Sequence, residues 1–274
     1  MESTPSLTES CNPESKDLDR LSVQEILALM NREEAHAVEV VREALPSVAS
    51  LVEAVVDRLA GGGRLFYVGA GTSGRLGALD AAECPPTFGT DPERVQALLA
   101  GGIGAFGRAV EHAEDDPEAA AAELRRRGLT AGDFVLGISA SGRTPYVMGA
   151  LRLAAEVGAG SGALFCNPGA PLSRLCEHPV LLAVGPEVLT GSTRLKAGTA
   201  TKMVLNMVST AAMVRLGHCL GNLMVDLRAN SAKLRDRQVR ILCERTGLSA
   251  GPAGELLEDC DGDLRRALTL AGGA

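Results

Sequence analysis

The stretch that most constrains the fold runs from Arg64 to Thr87, RLFYVGAGTSGRLGALDAAECPPT. Its opening run, Leu65 to Val68, is short, apolar and rich in β-formers, which suits a buried strand rather than a helix. The run breaks at Gly69-Ala70-Gly71-Thr72-Ser73-Gly74. Glycines there allow close backbone approach, and the hydroxyls of Thr72 and Ser73 face whatever is bound. A helix predicted from about Gly74 to Ala82 aims its free N–H groups and positive dipole end at this loop, making it a seat for a phosphate. Glu83 is expected just beyond that helix, with Cys84-Pro85-Pro86 stopping the chain beside it. The phosphate seat and a candidate acid are then expected within one turn of each other.

The same logic recurs farther on. Phe134 to Ile138 reads as a second central strand, and Ser139-Ala140-Ser141-Gly142-Arg143-Thr144-Pro145 follows it. Hydroxyls and a glycine again come after a strand, with Thr144 as helix N-cap and Pro145 at the first helical position. A second anion seat is therefore predicted. Further strands are expected at Val95 to Leu99, Ala163 to Cys166 and Val180 to Val184. Helices are predicted from about Ile103 to Glu114, from Pro117 to Arg126, from Tyr146 to Val157 and from Ala197 to Leu216. This alternation predicts an α/β fold with a doubly wound parallel sheet.

Outside that alternation the chain is helical or irregular. Residues 1–19 form a polar arm that is ordered only where it docks. Ser22 and Glu25 make a capping box, and helices are predicted around Ile26 to Met30, from Glu33 to Leu45 and from Ser47 to Leu59. The tail from Ser231 reads as short helices, with Asp261-Gly262-Asp263 as a turn and cap. The expected division is residues 1–60 as arm and packing helices, 61–228 as the α/β domain carrying both anion seats, and 229–274 as a small helical bundle. A net charge of −7 over 274 residues, with no basic stripe, argues against a nucleic-acid surface. No apolar run reaches membrane-spanning length and no secretory pattern opens the chain, so a cytoplasmic location is expected. The seven cysteines lack C-x-x-C pairs and the four histidines are scattered, so neither disulfides nor a metal site is expected.

Gly69, Gly71 and Gly74 also fit the dinucleotide fingerprint G-x-G-x-x-G. A ribose-binding acid is wanted at the end of the next strand, but Asp91 precedes that strand instead. Two hydroxyl-rich loops suit a phosphate monoester on a small polar body, and no cofactor is expected. Glu83 and Glu114 are the acid/base candidates. In one cleft, two carboxylates can be pushed apart in pKa so that one donates and one accepts a proton. Raising a glutamate by about two units costs roughly 3 kcal/mol, so such a site is expected to be dry and partly apolar. For Glu114, beside Asp115 and Asp116, the alternative is a solvated acidic helix end. Arg194 and Lys196, in Gly191-Ser192-Thr193-Arg194-Leu195-Lys196, either neutralise substrate charge or serve helix capping and surface solvation. Cys84 has no histidine nearby in sequence and reads as structural.

At these residues the chain resembles the N-acetylmuramic acid 6-phosphate etherases, a branch of the sugar isomerase (SIS) superfamily. The resemblance rests on Leu18-Asp19-Arg20-Leu21-Ser22, GAGTSGRLGALDAAECPPTFG, AVEHAED, SASGRTPYV and GSTRLKAGTATKMVLNM, and covers nearly the whole chain. It implies a flavodoxin-like SIS fold and cleavage of the lactyl ether of a sugar phosphate, with water as second substrate. Carried over by motif, Glu83 corresponds to the proton donor and Glu114 to the base at C2. Both loops are then expected to bind substrate, and the division expected here puts the phosphate on Ser139, Ser141, Gly142 and Thr144 and the sugar beside Gly71, Thr72 and Ser73. It also implies a homodimer with the site near the interface, no metal and no cofactor. Two departures stand out: His112 occupies a position where glycine is common, and Cys11 one where a basic residue is usual. A non-catalytic sugar-phosphate sensor similar to the glucokinase regulatory protein is the main rival, and an aldose–ketose isomerase on the same fold is another. The single domain and the presence of both glutamates favour an enzyme over the sensor.

Overall fold

The computed structural model describes residues 6–273 apart from Ala109, Glu111, Arg228 and Asn230. Five parallel strands, β1 (Leu65–Gly69), β2 (Val95–Leu99), β3 (Phe134–Ile138), β4 (Gly160–Phe165) and β5 (His178–Leu181), form one sheet in the order β2-β1-β3-β4-β5. Alternate side chains enter opposite cores. Leu65, Tyr67, Phe134 and Leu136 join helices α1 (Val23–Ala60), α2 (Gly71–Phe88) and α5 (Lys196–Arg215) on one face. Phe66, Val68 and Val135 join α3 (Pro117–Arg126) and α4 (Pro145–Val157) on the other. The chain leaves β1 toward one face and β3 toward the opposite face, so the crevice of a doubly wound sheet opens between the ends of these neighbours. Gly69 pairs with Ile138 across that boundary, which sets the two predicted loops side by side.

β4 and β5 begin earlier than the pattern suggested. β4 takes in Gly160, Ser161 and Gly162, which lack strand propensity but pair with Phe134, Val135 and Leu136. Tertiary pairing overrides propensity there.

The three predicted N-terminal helices are one helix of 38 residues that continues through Pro46. Its capping box is present, with the Glu25 amide donating to Ser22 Oγ at 3.3 Å and the Ser22 amide donating to the Glu25 carboxylate at 2.8 Å. A proline inside a helix costs about 3 kcal/mol. Val41, Ala44, Val48, Leu51, Val52 and Val55 keep a single buried stripe across Pro46. At about 1.5–3 kcal/mol for each fully buried valine or leucine, continuity outweighs the break.

α2 is likewise longer than predicted. It starts one turn earlier, at Gly71, and runs through Pro85 and Pro86 to Gly89, which ends it in the left-handed conformation. Gly77, Ala81, Cys84 and Phe88 form its buried face, so packing carries the last turn past the prolines. Glu83 consequently lies inside the helix. The helix predicted from Ile103 to Glu114 is reduced to a 3₁₀ turn, Ile103–Phe106, followed by turns and irregular backbone in the described part. Gly104 and Gly107 each lower helix stability by about 1 kcal/mol relative to alanine. His112 then adopts φ 59°, the conformation that glycine takes most easily. α3 begins only at Pro117, where the Asp116 carboxylate accepts from the amides of Glu118 and Ala119.

The C-terminal helices α6 (Ala232–Thr246), α7 (Ala250–Asp259) and α8 (Leu264–Leu270) enclose a third, separate core around Ile241, Leu242, Leu257, Leu264 and Leu268. Arg265 fastens α8 through Asp226, at 2.6 and 3.0 Å, and through the Gly217 carbonyl at 2.6 Å. The polar arm does dock: Thr8, Asn12 and Ser15 are buried along a series of short 3₁₀ turns. Residues 1–5 of the predicted arm lie outside the described residues.

Candidate functional site

The first loop is built by a close approach of strand and helix. A Cβ on Gly74 would sit 2.5 Å from the Gly69 carbonyl oxygen and 2.4 Å from Leu99 Cδ1, so only glycine lets α2 begin directly against β1. The Gly74 amide donates to the Ala70 carbonyl at 3.1 Å. One turn of N–H groups before it, at Gly71, Thr72 and Ser73, belongs to the open N-terminus of α2. The side chains of Thr72 and Ser73 are half-buried there. An anion placed at this end meets free amides, two hydroxyls and the positive end of an 18-residue helix.

In the second loop three hydroxyls converge. Ser139, 3% exposed, lies 2.7 Å from Thr144 Oγ1 and 3.2 Å from Ser141 Oγ through its own Oγ. The Gly142 amide donates to Ser139 Oγ at 3.1 Å, and the Arg143 amide to Ser141 Oγ at 3.2 Å. Thr144 occupies the N-cap position of α4 without a side-chain cap, because its hydroxyl is turned into this cluster. Gly142, at φ 67°, packs so tightly that a Cβ would lie 2.4 Å from the Ala170 side chain.

The two glutamates lie apart within one chain. Glu114 is next to the second loop, since its carbonyl accepts the Tyr146 amide at 3.0 Å in the first turn of α4. Glu83 is a little over three helical turns, about 18 Å, along α2 from Gly71. The expected closeness of the acid to the first seat within a single chain therefore fails, because α2 neither starts nor stops where the prolines suggested. Both carboxylates are exposed, and they sit on opposite faces of the sheet, Glu83 with α5 and Glu114 with α4. One chain by itself does not provide the dry enclosure expected for paired catalytic carboxylates.

Glu83 lines a small cavity of about 220 Å³ with Leu79, Asp80, Lys202 and Asn206. Asp80, 6% exposed, was missed by sequence reasoning. It accepts from Asn206 Nδ2 at 2.7 Å, Tyr67 Oη at 2.9 Å and Ser209 Oγ at 3.1 Å, locking α2 to β1 and α5. Burial pushes its carboxyl up, opposed by those three hydrogen bonds and by the charge of Lys202. Burial, then Asp80 and Glu83, push the Cys84 thiol to about 12, which keeps it neutral and supports its structural reading. α1 and α5 leave an apolar groove of about 650 Å³ lined by Leu45, Val48, Val52, Val56, Met207 and Ala211. A cavity of about 740 Å³ lies elsewhere, among Phe88, Asp226, Gln238 and Leu264 at the C-terminal helices, and contains neither loop.

Arg194 is exposed, whereas Lys196 is 2% exposed and its ammonium pairs with Glu33 of α1. The cap of α5 comes from Glu187, whose carboxylate accepts the amides of Lys196 and Ala197 at 3.2 and 3.0 Å. Neither of the two readings of Lys196 anticipated that its charge is answered within the chain. Among the described residues no group of three or more histidine, cysteine or acidic side chains is placed to hold a metal. Among the described residues no helix is long and apolar enough to cross a membrane.

Comparisons with known proteins agree with this architecture. Residues 47–155 match the family of the glucokinase regulatory protein N-terminal SIS domain. In structure the chain is similar to a phosphoheptose isomerase from Neisseria gonorrhoeae, with TM-score 0.53, 20% identity, and coverage of 70% of this chain and 98% of that one. In sequence it is 53% identical over 263 residues to an N-acetylmuramic acid 6-phosphate etherase of Geobacillus thermodenitrificans, spanning 96% of this chain and 89% of that protein. It is 52% identical to one of Mycolicibacterium smegmatis, over 96% of this chain and 88% of the relative. With an SIS-type sheet, two hydroxyl-rich loops at its switch point and identity above one half along nearly its whole length, the chain belongs to the N-acetylmuramic acid 6-phosphate etherase family.

Proposed function

We propose that the protein cleaves the D-lactyl ether of N-acetylmuramic acid 6-phosphate with water, giving N-acetylglucosamine 6-phosphate and D-lactate, as a cytoplasmic step in recycling cell-wall amino sugars. The observation that carries this is the hydroxyl cluster of Ser139, Ser141 and Thr144 beside the open N-terminus of α2, in a chain half-identical to etherases. The phosphate takes the second loop, and Gly71, Thr72 and Ser73 meet the sugar. Arg194 adds positive charge at the rim.

The ether at C3 leaves only after the sugar ring opens, because the C1 aldehyde then acidifies the proton on C2. Glu114 accepts that proton, and the electron pair of the C2–H bond forms the C2–C3 double bond as the C3–O bond breaks. Glu83 protonates the departing lactate oxygen. Water then adds at C3 and C2 regains a proton, so no oxidant or reductant is consumed. Each glutamate contributes on the order of 10²- to 10⁴-fold.

In this reading the site is completed in a homodimer. Glu83 and Glu114 of one chain face away from each other, so Glu83 of one copy serves the loops of its partner. The apolar groove between α1 and α5, lined in part by exposed Leu45, together with exposed Val38 on α1, Leu79 on α2 and Val214 on α5, supports a partner covering these helices. The match to the regulatory-protein SIS domain favours a second reading, a sugar-phosphate sensor that binds without turnover.

The test is D-lactate release from N-acetylmuramic acid 6-phosphate in deuterated water. Native protein is expected to release D-lactate and place deuterium at C2. Glu83→Ala abolishes release, and Glu114→Ala abolishes exchange at C2. Folded protein that binds the sugar phosphate but releases no lactate leaves only the sensor.

A further inference from the structure

Asn167 directly follows β4 and Cys166 and is 3% exposed. Both ends of its carboxamide are engaged. Oδ1 accepts the Thr8 amide at 3.1 Å, while Nδ2 donates to Thr8 Oγ1 at 2.9 Å, to the Ser141 carbonyl at 3.2 Å and to the Ala140 carbonyl at 3.4 Å. An amide nitrogen has two protons, so the weakest of these three contacts is shared. Thr8, on the N-terminal arm, is 1% exposed. A single buried amide thus joins the arm to the carbonyls of the second loop.

The arm has two further attachments at the same rim. Asn12 Nδ2 donates to Glu33 Oε2 at 2.9 Å and to the Pro186 carbonyl at 3.3 Å, and Glu33 is the carboxylate that pairs with Lys196. Glu9 Oε2 would lie 3.3 Å from a Cβ on Gly191, in the loop that leads into α5. The arm is therefore linked to the second loop, to α1 and to the Pro186 carbonyl by hydrogen bonds, of which the two between Thr8 and Asn167 are buried and the rest part-buried, and Glu9 lies close to Gly191.

We propose that Asn167 is a positioning residue for the phosphate loop and that, with Thr8, it forms a clasp coupling arm docking to occupancy of that loop. The inference rests on the phosphate reading given above. An anion seated on Ser139, Ser141 and Thr144 needs amides and hydroxyls turned toward it and carbonyl oxygens turned away. Asn167 holds two of those carbonyls from behind. Because the clasp spans both elements, phosphate on the loop strengthens the arm's attachment, and a docked arm raises affinity by the same factor. The expected coupling is about 5- to 20-fold, at the lower end of typical values because two or three hydrogen bonds carry it.

Thr8→Val is the variant of choice, since it keeps the shape, lies on the arm and leaves the sheet intact. Hydrogen exchange across residues 6–15 and calorimetric affinity are measured on the full chain with N-acetylglucosamine 6-phosphate as probe. In the native protein the probe slows exchange in the arm. Thr8→Val is expected to bind about 5- to 20-fold more weakly and to lose that protection, and Thr8→Ser to restore both. In turnover, KM rises by the same factor while kcat stays within about twofold. Native protein that binds the probe without any change in arm exchange, or Thr8→Val with native affinity, overturns the clasp. Native protein that does not bind the probe at all overturns the functional reading and the clasp with it.

Discussion

Mixing two inactive variants tests whether one catalytic centre draws on two chains. Within a chain, Glu83 sits about 18 Å along α2 from the first loop and on the α5 side of the sheet. Glu114 is pinned beside the second loop at the start of α4. Glu83→Ala and Glu114→Ala each lose about 10²- to 10⁴-fold in D-lactate release as pure dimers. In a mixed dimer, the chain carrying Glu83→Ala supplies an intact Glu114 and its partner supplies an intact Glu83. One of the two centres is therefore complete, and the other lacks both carboxylates. Random pairing at equal concentrations makes about half the dimers mixed, so recovery approaches about one quarter of native specific activity in a symmetric dimer. The assay is coupled D-lactate oxidation after unfolding and refolding the variants together, with native mass spectrometry counting the mixed species. Mixed dimers present at half the total with activity no greater than the sum of the parents would refute a shared centre.

Two further outcomes concern the scaffold. Asp133 accepts from the Arg64 guanidinium and amide and from Thr130, at 2.8–3.1 Å. Burial raises its carboxyl, but the Arg64 and Thr130 hydrogen bonds outweigh that and hold it below the usual range. A depressed folded value means that the stability it contributes is present above the unfolded pKa near 3.9 and lost as pH falls through the folded value. Denaturant midpoints of Asp133→Asn should accordingly fall at pH 7 and lose part of the native chain's acid limb below pH ~4; an unchanged acid limb would exclude Asp133 as its source. His112→Gly should raise stability by about 0.5–1 kcal/mol and Tm by roughly 2 °C, because φ 59° costs a glycine nothing. The lost contact to Asp115, 3.6 Å between exposed groups, weighs little against that, and a lower Tm would show that His112 holds the turn by other means.

What the sequence revealed was local. β1, β3 and the loops after them stand out because strand period, glycine and hydroxyls occur within a dozen residues, and the alternation of strand and helix gives the parallel sheet. Features set by distant packing were hidden. Nothing near Pro46 signals that α1 continues through it, since the compensating burial comes from α5 and the sheet. The same holds for Pro85 and Pro86, and with them the position of Glu83. Asn167 carries no local mark, because its partners lie 26 and 159 residues away. Lys196 resembled a substrate contact until Glu33, 163 residues earlier, came beside it. The Ile103 to Glu114 segment shows the reverse case, where Gly104 and Gly107 in the sequence already argued against a helix.

The uninterrupted α1 also acts as a ruler. Glu33 near one end meets Lys196 and Asn12, while Leu59 at the other end is buried just before β1. Inserting one residue near Pro46 turns one half by about 100° against the other and lengthens the rod by about 1.5 Å. Either the buried stripe or the Glu33 pairing is then out of phase. Seven residues restore the azimuth to within about 20°, yet displace one end by about 10 Å. Length changes tolerated by surface loops are thus closed to this helix, and sequences sharing these contacts should align through it without gaps.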